Sequence, residues 1–105
     1  MVIKMQKIVI NNCHGGFGLS EEALKLYKDR MNIKDKNFWD ASIPRDSKTL
    51  VQIVQELGKK ADGNFAELGI VEVPDDVDWQ IDDYDGQEWV AEKHRTWRIT
   101  YEYES

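Results

Sequence analysis

At 105 residues, with 41% hydrophobic content and four Trp, the chain is predicted to form one domain, 1–105, around a core of modest size. Its net charge of −6 is unevenly spread: residues 61–92 hold eleven Asp and Glu without a Lys or Arg, whereas the remainder holds nine acids and fourteen bases. Such a surface opposes polymeric nucleic acid, whose binding rests on many basic contacts to phosphate, but leaves a small nucleotide open.

The first expected element is a strand over Lys7 to Asn11, with Met1 to Met5 as an extension or edge segment. A glycine-rich turn follows, Gly15-Gly16-Phe17-Gly18-Leu19-Ser20. Two readings of it stand side by side. It exposes backbone N–H groups at the positive end of a helix, which suits an anion; equally, its glycines simply let the chain reverse tightly. It has neither the GxGxxG spacing nor a following Lys. A helix from Ser20 to Met31 comes next, with Ser20 as N-cap, Glu21 and Glu22 in the first turn, and Ala23, Leu24, Tyr27 and Met31 on one face.

Residues 32–44 read as irregular, anchored by Phe38 and Trp39. A second helix begins after Asp46 or Ser47, buries Leu50, Val51, Val54 and Leu57, and is expected to end near Ala61 with Gly63 as left-handed exit. Phe65 to Val73 reads as a strand, broken at Pro74-Asp75-Asp76. Trp79 to Tyr84 and Gln87 to Trp97 then pair across Asp85-Gly86, a strong hairpin signal, with Ile99, Tyr101 and Tyr103 continuing the alternation. The pattern predicts an α+β fold: an antiparallel sheet of about four strands with two helices packed on one face. Exposed strand edges and many aromatics point to a homo-oligomer.

Arg45 follows a proline just before a helix, where a guanidinium suits a phosphate, or else a surface ion pair with Asp46 or a neighbouring acid. Lys93-His94-Arg95-Thr96-Trp97-Arg98 is the densest basic and aromatic stretch. There Arg95 and Trp97 offer a phosphate fork beside a stacking surface, unless Trp97 fills the core and Arg95 offsets the acidic hairpin. The carboxylates from Asp75 to Asp85 suit a solvated turn and hairpin tip better than a pair of catalytic acids. Cys13, His14 and His94 lack metal-ligand spacing, and no serine stands in a nucleophile elbow. The residues thus give catalysis thin support, and no catalytic residue, metal or cofactor is expected. The single cysteine fits a reducing cytoplasm. No apolar run approaches a membrane span, and the amino terminus does not read as a secretory leader.

The order of these segments resembles the first type of phage Thoeris anti-defence proteins, sponges for immune nucleotide signals. The resemblance rests on Lys7-Ile8-Val9-Ile10-Asn11, Gly15-Gly16-Phe17-Gly18-Leu19-Ser20, Ile43-Pro44-Arg45-Asp46, Phe65-Ala66-Glu67-Leu68 ten residues before Asp75, Tyr84-Asp85-Gly86, and His94-Arg95-Thr96-Trp97. It implies sequestration of a cyclic ADP-ribose isomer without cleavage, and of cyclic oligonucleotides, the signals of a second defence system (CBASS), at a second site. It further implies a dimer or a hexamer built from dimers in the host cytoplasm. Arg45 and Arg95 would contact phosphate, Phe65 would stack on adenine, and Asp75 stands where the resemblance leads one to expect asparagine. An ionised carboxylate there accepts hydrogen bonds and repels phosphate. Trp97 joins this ligand site as the stacking surface. Gly15, Gly16, Phe17, Gly18 and Ser20, helped by Lys25 and Lys28, form the candidate second ligand site. The competing readings are an acidic inhibitor that docks on a basic host protein and a small nucleotide hydrolase using His94 or the acidic cluster.

Overall fold

The computed structural model describes residues 4–92. Strand β1 spans Met5–Asn11 and pairs antiparallel with β2, Leu68–Pro74, in a register that sets Met5 opposite Pro74 and Asn11 opposite Leu68. Helix α1 spans Glu21–Met31 and helix α2 Lys48–Leu57. Strands β3, Trp79–Tyr84, and β4, Gln87–Glu92, form the second antiparallel pair.

Local chemistry accounts for most of these boundaries. The Ser20 hydroxyl accepts the Ala23 N–H at 3.1 Å, and Ser47 does the same for Leu50 at 3.3 Å, so each helix starts on a serine cap. Helix α1 carries Glu21 and Glu22 at its positive end and Lys28 and Arg30 at its negative end, and stops on Asn32 in the left-handed region. Helix α2 stops earlier than expected. Gly58, at φ +58° and ψ −130°, ends it in a conformation that favours glycine and opens a short 3-10 turn over Gly58–Ala61. Gly63 instead lies against the Gly18 backbone, where a Cβ would come within 2.9 Å. The hairpin turn follows expectation, with Asp85 and Gly86 both at positive φ, as a two-residue primed turn requires.

Both helices serve one core. Leu50, Val51, Ile53 and Val54 of α2 and Ala23 and Tyr27 of α1 are buried together with Val9, Leu19, Ile43 and Ala61. Leu50 and Ile53 are fully enclosed, each contributing about 1.5–3 kcal/mol of burial. Four successive strand residues, Ile8, Val9, Ile10 and Asn11, are buried, so β1 is covered on both faces. Val9 faces the helices. Ile8 and Ile10 share the other face with Gln6, whose side-chain oxygen receives the Trp79 indole N–H at 3.0 Å. That face turns toward the hairpin, and β4 runs alongside β1.

The class is α+β, as expected, but the four strands divide into two two-stranded ribbons. The reason lies at the second edge of β1. There the Val9 N–H bonds the Arg45 carbonyl at 2.8 Å and the Asn11 N–H bonds the Glu88 carboxylate at 2.8 Å. Val9 O in turn accepts from the Arg45 guanidinium at 3.2 Å. A loop backbone and two side chains satisfy the groups that a neighbouring strand would otherwise take. Among the described residues no helix is long and apolar enough to cross a membrane.

Candidate functional site

The glycine turn is shaped by close packing. A Cβ on Gly15 would strike the Phe65 carbonyl, and one on Gly86 would come within 2.5 Å of the His14 carbonyl. The turn, the segment at Phe65 and the hairpin tip therefore meet backbone to backbone. Asn11 locks this junction from inside. It is fully buried; its amide nitrogen donates to Cys13 O at 2.7 Å and Gly86 O at 2.8 Å. Its side-chain oxygen accepts the Glu67 N–H at 2.8 Å and the Cys13 thiol at 3.4 Å. Every donor and acceptor of the amide is used, which makes a buried polar group stabilising rather than costly.

Arg45 lies beside this junction. Its Nη1 and Nη2 meet the two Glu88 oxygens at 2.6 and 2.9 Å, a bidentate pair between side chains only 21% and 11% exposed. The guanidinium carbon stands 3.6 Å from the centroid of the Phe17 ring, a cation–π contact. Burial pushes the Glu88 carboxyl upward. The hydrogen bonds from Arg45 and the Asn11 N–H, with the guanidinium charge, outweigh it and hold the group below the usual Glu value. Arg45 is thus an ion-paired residue, and its partner is forty-three positions away rather than Asp46.

Three backbone groups at the end of the glycine turn are engaged. The Leu19 N–H donates to the Asp40 carboxylate at 2.9 Å, the Ser20 N–H to Ala61 O at 2.8 Å, and Gly18 O accepts the Gly63 N–H at 2.9 Å. An internal carboxylate thus takes the N–H just before the cap, and the Ser20 hydroxyl takes one N–H of the first helical turn. Lys25 and Lys28 line an open groove of about 380 Å³ together with Glu21, Leu24, Asp29 and Ile33.

Phe65 sits at the junction with its side chain outward, 75% exposed. Asp75 lies at the other end of the β1–β2 ribbon, its N–H bonded to Lys4 O at 2.9 Å. Most of the length of the ribbon, on the order of 15–20 Å, separates it from Arg45. The structure therefore brings Arg45 and Phe17 into contact and Gly15 against Phe65, and sets Asp75 apart from both. Arg95, Trp97 and His94 lie outside the described residues. Among the described residues no group of three or more His, Cys, Asp or Glu is placed to hold a metal ion.

Two participants were not singled out by sequence: Glu88, which reads as one more acid of the hairpin, and Asn11. The signal for Asn11 was an amide closing the apolar run Ile8-Val9-Ile10. Glu88 offered no local signal. Comparison with protein-family models, curated proteins and solved structures finds no match to the chain.

Proposed function

We propose that the protein captures a small cyclic nucleotide signal of the cyclic ADP-ribose type and holds it intact, the activity implied by the family it resembles. The observation that supports this best is the state of Arg45. Glu88 and Val9 O occupy Nη1 and one side of Nη2; among the described residues nothing meets the Nε–H or the remaining Nη2 hydrogen. An arginine ordered on an aromatic ring with one bidentate edge open is suited to a phosphate. Phe65, outward at the neighbouring junction, is suited to stacking on a base. A cyclic ligand holds its shape before binding, so capture loses little conformational entropy.

The test is retention and recovery. Purified protein is incubated with cyclic ADP-ribose, freed of unbound ligand, heat-denatured, and the supernatant analysed by mass spectrometry. Intact ligand in near-stoichiometric amount is expected. Cleaved product would point to a hydrolase, and an empty supernatant would remove the proposal.

The exposed acids favour one other reading. Asp75, Asp76, Asp78, Asp83 and Asp85 all face solvent, and such a surface could dock on a basic host protein. That reading requires a complex that weakens steeply with salt and releases no small molecule.

A further inference from the structure

A guanidinium carries five N–H donors arranged as two bidentate edges. In Arg45 the Nη1–Nη2 edge is filled by Glu88, Nη1 also bonds Val9 O, and Phe17 covers one face. Among the described residues the Nε–Nη2 edge makes no hydrogen bond. An unpaired arginine samples many rotamers, and ordering it on a ligand opposes binding; here folding has already ordered it. The pair is also neutral, so its long-range pull on an anion is weak.

We propose that Glu88 is a positioning residue for ligand capture: it holds Arg45 against Phe17 with its Nε–Nη2 edge open and cancels the guanidinium charge, so that a singly charged phosphate group is recognised by hydrogen-bond geometry rather than by net attraction. The matching groups are phosphodiesters and internal pyrophosphates, which carry one negative charge per phosphorus. This inference rests on the sequestration reading above.

The test is calorimetric titration of cyclic ADP-ribose into wild-type, Glu88→Gln and Glu88→Asp proteins at about 50 and about 300 mM salt, which shortens the screening length from about 14 to about 6 Å. A circular-dichroism melt establishes that each variant is folded. The wild-type Kd is expected to change less than about threefold with salt, because the pair is neutral. Glu88→Gln unmasks the guanidinium charge and is expected to lose at least about tenfold in affinity over the same range. Glu88→Asp keeps the charge but is one methylene shorter, so its carboxylate is drawn back from the guanidinium. It is expected to bind about tenfold more weakly at both salt concentrations with the wild-type salt response, and it tests positioning even where the Gln variant does not fold. Wild-type affinity and salt response in both variants would overturn the role of Glu88 and leave sequestration standing. Absence of binding by the wild-type protein would overturn both.

Discussion

Replacing Glu88 with alanine is the most informative perturbation of the fold itself. It removes the bidentate partner of a guanidinium only 21% exposed and the acceptor of the N–H of Asn11, a residue with no solvent exposure. Breaking a fully buried ion pair costs about 3–5 kcal/mol, and an orphaned buried N–H about 1–3 kcal/mol. Water entering the vacated space and the partial exposure of Arg45 offset some of this, leaving about 2–4 kcal/mol. For a domain of this size that corresponds to a fall in Tm of roughly 10–25 °C. Urea and thermal unfolding followed by circular dichroism measure it, with Glu56→Ala as the control. The Arg30–Glu56 pair has side chains 34% and 53% exposed, and its loss should leave the transition where it is. A Glu88→Ala loss below about 1 kcal/mol would show that this pair behaves like an exposed one. The Trp79–Gln6 and Asn11–Gly86 contacts would then hold the hairpin by themselves.

Acid should act through the same group. The folded Glu88 titrates below its unfolded value, so its contribution is whole above about pH 4.3, the ordinary Glu value, and is lost as the pH falls toward the lower folded value. The wild-type stability curve should therefore decline across that acid range, and Glu88→Gln should flatten the decline. Gly86→Ala should cost about 1–3 kcal/mol or more, because the new Cβ meets the His14 carbonyl at a residue already at φ +91°; chemical denaturation reads it directly. Phe65→Ala should leave the melting temperature unchanged, since the side chain is 75% exposed, while lowering cyclic ADP-ribose affinity on the stacking scale of about 1–3 kcal/mol. Calorimetry showing full affinity would remove Phe65 from the site.

Where one residue type at one position is sufficient, the sequence alone determined the structure. Ser20 and Ser47 cap their helices because a short hydroxyl reaches the third N–H whatever surrounds it. Asp85-Gly86 makes the hairpin because few other pairs tolerate two left-handed residues in succession. The exit from α2 was less legible: Gly58 and Gly63 carry the same local freedom, and the close approach of Gly63 to Gly18, set by packing, decided between them. Glu88 stood among many acids with nothing to distinguish it, and Arg45 carried an ion pair and a phosphate contact as equal readings. Only the folded chain brought their side chains to the open edge of β1, where unpaired N–H and C=O groups had to find partners. That requirement comes from burial, which no local pattern records. It separated the strands into two ribbons and decided which edge of Arg45 is paired with Glu88.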